Sequence, residues 1–200
     1  IIVVTLLTIL APVLAPHDPY AQDLGRRLIP PVWQEKGSWD HPLGTDNLGR
    51  DYLSRLIYGA RVSLLIGISV MLIAGLIGTT LGLLAGYFGG RMDMFVSFLI
   101  TVRLALPAVL VAVAVVSLIG GSMQVVVLVL GFLVWDRFAV VIRASTQQIR
   151  PLEYVAAAKS AGCSTLRILA QEILPNLMNN LIVVATLEVA HVNLVVAVFI

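Results

Sequence analysis

Apolar residues in this chain come in long blocks rather than alternating with polar ones, and short polar stretches separate the blocks. A helix that crosses hydrocarbon needs about 20 mostly apolar residues, because it rises ~1.5 Å per residue through a layer ~30 Å thick. The pattern predicts five such helices: Ile1–Ala15, Val62–Ala85, about Met94–Ile119, Met123 to about Ile142, and Leu177–Ile200. The first block lacks a basic leader and a small-x-small cleavage site, and Pro16-His17-Asp18-Pro19 follows it, so it reads as the remnant of a spanning helix. The sequence opens and closes inside apolar runs and reads as cut at both ends. Only Gly120-Gly121-Ser122 separates the third and fourth blocks, a tight reversal that makes helices two to four antiparallel neighbours. The expectation is an all-α, polytopic transmembrane helical bundle. Residues 1–15 are the remnant of a first span, and 16–60 form a loop ending in an interfacial helix. Residues 61–200 form a membrane core with a polar insert at 143–176.

The loop ends in HPLGTDNLGRDYLSRLIYGA. Asp46 or Asn47 can cap a helix by accepting backbone N–H bonds. Leu48, Tyr52, Leu53, Leu56, Ile57 and Ala60 then form an apolar stripe, and Asp51 and Arg55 are spaced to pair at i,i+4. This predicts an amphipathic helix lying at the membrane interface, with Arg61 snorkelling where the chain dives in. In the second block Gly67, Gly75, Gly78, Gly82 and Gly86 fall near one face, the last three at four-residue spacing. Small residues at that spacing let two helix backbones approach in lipid. Packing within the bundle is the simpler reading, and a face shared with a second subunit the sharper one.

The insert EYVAAAKSAGCSTLRILAQEILPN, Glu153 to Asn176, is the most informative stretch. Pro151 fits a first helical turn, and Glu153 favours the positive end of the dipole. Ala156, Ala157, Ala158 and Lys159 are strong helix formers with small or flexible side chains. Gly162 is placed to end this helix in a left-handed conformation, and Ser164 or Thr165 can cap the next. Leu166, Leu169, Ile173 and Leu174 give the second helix an apolar face, and Pro175-Asn176 is expected to break it before the last span. The result is two short helices meeting at a bend, presenting an alanine knob that suits a groove on another protein. An interfacial linker is the bland alternative.

Composition agrees with a membrane protein: 59% of residues are hydrophobic and 12% charged, with mean hydropathy +0.98. Soluble domains are nearer 45–50% apolar and ~25% charged. A net charge of +2 is too small to argue for nucleic acid, and one cysteine, Cys163, excludes an internal disulfide. Charges at bilayer depth are costly and face protein or water. Arg103 lies one turn before Pro107, where a kink is expected, and either lines a substrate path or pairs with Asp136 or Glu188. Glu188 and His191 share a face of the last helix near Asn193. They either line a water-filled path or make a polar contact between helices. A dimetal centre would need further glutamates and a second Glu-x-x-His, which the apolar blocks lack, and no metal site is expected. His17, His41 and His191 are scattered, and no Walker-type loop, G-x-S-x-G or H-E-x-x-H motif occurs. Cys163 reads as a small packing residue rather than a nucleophile. The chain is therefore expected not to be an enzyme, and any ATP it uses must be hydrolysed on another polypeptide.

The small residues, Gly162 and Ile173-Leu174-Pro175 resemble the cytoplasmic coupling loop of ABC importer permeases. The string from His41 through Asp46, with Gly49-Arg50-Asp51 and Ser54-Arg55, resembles the dipeptide/oligopeptide (peptide/nickel) branch of that family. The resemblance covers about residues 41–200. It implies a type I importer permease fold with about six helices in the complete chain, in a bacterial inner membrane. It implies docking of an ATPase by Glu153, Ala156, Ala157, Ala158, Lys159, Gly162, Ser164 and Thr165, and a translocation path near Arg103, Glu188, His191 and Asn193. Implied partners are a second homologous permease, two ATP-binding subunits carrying ATP and Mg2+, an extracytoplasmic substrate-binding protein and membrane lipid. Basic residues divide evenly between the two sides, so placing 143–176 in the cytoplasm and the first loop outside rests on the resemblance. Asp93, Pro107, Trp135 and Arg143 match the family pattern. Ala156 stands where a glutamate is usual, so that charged contact is either absent or passes to Glu153. Glu172, Phe98, Thr101 and Asp136-Arg137 also depart from the pattern. Within the family the substrate is a di- or oligopeptide, or alternatively a nickel or other metal chelate. Outside it, the rivals are a proton-driven secondary transporter using Glu188 and an intramembrane enzyme using Glu188 and His191.

Overall fold

The computed structural model describes residue 10 and residues 14–196. The expected first span therefore lies almost wholly outside the described residues. Within the described residues, eight α-helices follow one another: α1 Tyr52–Phe88, α2 Gly90–Ala105, α3 Ala108–Ile119, α4 Met123–Leu133, α5 Asp136–Ile149, α6 Glu153–Ser160, α7 Thr165–Arg167 and α8 Leu174–Val196. Among the described residues, the only strand-like pairing is one isolated bridge, Thr45 to Asp51. Among the described residues, three helical runs are long and apolar enough to cross a membrane: Tyr52–Phe88, Met123–Ile149 and Thr165–Leu194. The bent pair α2 and α3 makes a fourth if it counts as one span. The chain divides into two compact units, Ile1–Leu65 and Ile66–Ile200.

In the first unit, residues 16–51 fold without long elements, held by backbone turns and a few side chains. Asp46 does not cap a helix. Its Oδ1 accepts the N–H groups of Leu48 and Arg50, and its Oδ2 accepts from the guanidinium groups of Arg50 and Arg55. Burial pushes this carboxyl up, but the two backbone N–H groups and Arg50 outweigh it and bring it down to about 2. The cap of α1 is Asp51, whose Oδ2 accepts the Ser54 N–H at 2.7 Å. Two further expectations are corrected here. Arg55 pairs with Asp46 rather than Asp51. The interfacial helix is also not a separate element, since residues 52–61 are the first turns of a 37-residue helix. Nothing between Tyr52 and Phe88 can stop a helix: there is no proline, and the chain's apolar character rises steadily into the span.

In the second unit the backbones of α1 and α5 touch. A Cβ on Gly78 would lie 2.3 Å from the Trp135 carbonyl oxygen. One on Gly82 would lie 2.8 Å from that of Ala139, and one on Gly86 2.8 Å from that of Arg143. The glycine stripe thus serves a contact inside the chain. Ala85, Val96, Ile100 and Ala139 form one buried cluster, with Leu81, Met92 and Trp135 around it. The expected third helix is broken rather than kinked: α2 and α3 meet at 78° across Leu106-Pro107. Pro107 has no N–H to continue the ladder, and Leu106 turns back to donate to the Arg103 carbonyl at 3.2 Å. Gly120 (φ 115°) makes the reversal, and the Ser122 hydroxyl caps α4.

Pro175 does not break the last helix. From Ile168 to Ile173 the chain widens into a π turn, and the Leu174 N–H donates to the Leu169 carbonyl, five residues back. The wider turn makes room for the proline ring, and helical structure runs on into α8.

Candidate functional site

The polar insert is narrower than its sequence bounds. Residues 143–149 belong to α5, and residues 165–176 belong to the last helical run, leaving α6 and two short connections. Pro151 sits ahead of α6 rather than within its first turn; Leu152 is the N-cap and Glu153 the first helical residue. Gly162 adopts φ +77°, and its N–H donates to the Lys159 carbonyl while that of Cys163 donates to Ala158. These bonds satisfy carbonyls at the end of α6. The Ser164 hydroxyl then accepts the Arg167 N–H and starts α7.

The insert has a buried root and an exposed crown. Val155 is fully buried with Tyr87 of α1, Ile142 of α5, Ile168, Ile173 and Leu177. Ala158 and Cys163 pack on the edge of this cluster. Lys159 lies 4.8 Å from the centre of the Tyr87 ring, a cation–π contact that holds its stem down. Glu153, Ala156, Ala157, Gly162, Ser164 and Thr165 are exposed, as is the Lys159 side chain, while Ala158 is half-buried. One expected core residue is displaced: Leu166 is 77% exposed and Ile168 takes its place inside. The π turn shifts which positions face inward. Leu152, Tyr154 and Leu166 thus add exposed apolar surface beside the alanines. An apolar crown on a polar loop, fixed to three helices through one cluster, can dock a partner and pass a displacement to those helices.

Ionic contacts tie the helices together below this loop. Arg143 on α5 makes a two-pronged bond to Asp93 on α2, with Nη2 2.8 Å from Oδ2. Sequence spacing carries no sign of this pair. Arg103 donates to the Leu133 carbonyl and lies 3.6 Å from Asp136. Glu188 does not meet Arg103; it accepts from Arg137 at 2.7 Å. Arg137 also reaches the His191 Nε2 at 3.3 Å, so that nitrogen acts as the acceptor. The unusual Asp136-Arg137 dipeptide therefore partners the two membrane-depth charges. Glu188 Oε2, Asp136 Oδ1 and Asn193 Oδ1 are buried without a hydrogen-bond partner among the described residues. Asn193 faces Gly67, whose Cβ position lies 3.0 Å from its Oδ1. His17 and His41, scattered in sequence, are brought together, with ring centres 4.7 Å apart.

Residues 78–199 match the family described as binding-protein-dependent transport system inner membrane component. The chain belongs to that family. Residues 1–31 also match the N-terminal transmembrane domain of oligopeptide transport permease C. Among relatives, the chain is 38% identical to the dipeptide transport system permease protein DppC of Haemophilus influenzae, over 98% of this chain and 67% of that protein. It is 43% identical to the di/tripeptide transport system permease protein DppC of Pseudomonas aeruginosa, over 89% of this chain and 59% of that protein. It is 39% identical to DppC of Bacillus subtilis, over 92% of this chain and 55% of that protein. The chain thus spans about 55–67% of the length of these relatives. Membership of an inner-membrane family agrees with the apolar spans and the all-helical fold. The family match runs from the glycine stripe of α1 through the insert to α8.

Proposed function

We propose that this chain is part of the permease subunit of an ATP-driven importer of di- or oligopeptides in a bacterial inner membrane. It pairs with a second homologous permease to enclose the path. Two ATP-binding subunits, which carry ATP and Mg2+, grip α6, and an extracytoplasmic binding protein delivers the substrate. The names of the relatives support the peptide class. The observation that carries the mechanical part is the geometry of α6: exposed Ala156 and Ala157 stand on the buried Val155. Small side chains let a groove close on the helix backbone. The buried root then moves with α1, α5 and α8, because close-packed side chains transmit displacement rather than absorb it. Arg103, Glu188, His191 and Asn193 border the path in this reading, and their ion pairs rearrange as the helices reorient.

The test is Ala157→Glu in the reconstituted transporter. A bulky charge on the crown leaves the Val155 root untouched, so assembly persists. ATP hydrolysis should lose its dependence on substrate, and peptide uptake should fall at least ~10-fold. Uptake at the wild-type rate would overturn the docking role.

A further inference from the structure

Three separate segments of the first unit converge at the start of α1. Asp51 Oδ2 is fixed by the Ser54 N–H, and Asp51 Oδ1 lies 3.0 Å from His41 Nδ1. The Ser54 hydroxyl accepts the His17 N–H at 3.1 Å, which holds the His17 imidazole beside that of His41. One nitrogen from each histidine and one Asp51 oxygen all lie within 4.8 Å of one another. His41 and Asp51 are buried, whereas His17 is exposed. It opens on a recess lined by Pro16, Asp18, Tyr20 and Tyr58.

We propose that His17, His41 and Asp51 form a binding site for a divalent transition cation of the Zn2+ type. The donor set is two imidazole nitrogens and one carboxylate oxygen, which suits Zn2+, Ni2+ or Cu2+ and disfavours Mg2+ and Ca2+. Ligands at about 2.0–2.2 Å from one ion lie roughly 3.0–3.5 Å apart. The His41–Asp51 separation of 3.0 Å already meets that. His17 must close by about 1 Å, which its exposed ring allows by side-chain rotation. On binding, His41 Nδ1 gives up its proton as the neutral ring takes the tautomer protonated at Nε2, and the Ser54 N–H keeps the other carboxylate oxygen oriented. A fourth position stays open toward the recess for water. A hydrogen-bonded helix cap alone would explain His41 and Asp51 but gives the His17 ring no role. The ion would staple the chain around His17 and the HPLGTD turn to the first turn of α1. The proposal stands apart from the import reading, since it needs neither ATPase nor peptide.

The test uses the untagged full chain in detergent, stripped with chelator and titrated with Zn2+ against a chromophoric competitor. One equivalent should bind, and His17→Ala should weaken it at least ~10-fold, by comparison with the ~10–100-fold that even outer partners of a metal ligand can cost. His17→Ala keeps the backbone N–H to Ser54 and so keeps the fold. Asp51→Asn keeps an acceptor for the cap yet should also weaken binding, and Zn2+ should raise the unfolding temperature of the wild type alone. Absence of Zn2+ uptake by the wild type, or unchanged affinity in His17→Ala, would overturn the site.

Discussion

Gly78→Ala adds one methyl group to α1 and should separate it from α5. That methyl would sit 2.3 Å from the Trp135 carbonyl oxygen, 2.6 Å from the Phe138 Cβ and 2.9 Å from the Ala139 nitrogen. Two of the three are backbone atoms, so no side-chain rotation relieves the clash. Ordinary contact begins near 3.4 Å, so the helices must part by about 1 Å over the segment where Gly82 and Gly86 also touch α5. Overpacking of this kind costs ~1–3 kcal/mol. Replacing glycine by alanine within a helix returns up to ~1 kcal/mol. With that return in full, the expected net effect is a loss of roughly 0–2 kcal/mol. Gly59→Ala on the same helix is the control. Its Cβ meets nothing within 4 Å, so only the gain of ~0.4–1 kcal/mol remains. Denaturant unfolding of the purified chain in detergent, followed by circular dichroism, reads both. If Gly78→Ala proves as stable as Gly59→Ala, the two backbones are not in contact and the packing described for α1 and α5 is wrong.

Further outcomes follow from the charged groups. Asp46, held at about 2 by Arg50 and Leu48 against burial, contributes stability above its unfolded value of ~3.9 and loses it as pH falls toward 2. Amide exchange at Leu48 and Arg50, corrected for intrinsic rate, should therefore speed up between pH ~4 and ~2 in the wild type. In Asp46→Asn, whose amide oxygen still accepts those N–H groups but does not titrate, the change over this pH range should vanish, and a wild-type loop whose protection ignores pH would contradict the assignment. Arg137→Ala should strand the buried Glu188 at a cost on the order of 2–4 kcal/mol. Adding Glu188→Gln should recover much of that loss in the same unfolding assay; no recovery would mean the pair contributes little.

The short insert was legible because its signals are local. Glu153, Gly162 and Ser164 each act on backbone groups within a turn of themselves, and the structure places a helix start, a left-handed residue and a cap there. The membrane fold and family were legible from apolar blocks and motif strings. What failed to read from sequence depends on residues far away in the chain. The expected cap is Asp46 or Asn47; Asp51 takes that place instead, while Asp46 is drawn into the turn that ends at Arg50. Whether Arg103 meets Asp136 or Glu188 could not be chosen from sequence, because the facing of α5 decides it; Asp136 takes Arg103, and Arg137 takes Glu188. Leu166 and Ile168 exchanged places because a proline seven residues after Ile168 is absorbed by widening the helix rather than ending it. The pairing of His17 with His41 needs the loop to fold back, which no periodicity announces.

The widened turn at Ile168–Ile173 has a consequence for insertions and deletions. A regular α-helix turns by about 100° per residue. A π turn winds more slowly, so these six residues sweep about as far as five in regular winding. Losing one amino acid here, with a return to ordinary winding, would leave the distal rod close to its present facing and Glu188 still beside Arg137, whereas the same loss a turn further on would spin that rod by about 100°. Tolerance for a missing residue is thus concentrated in these six positions.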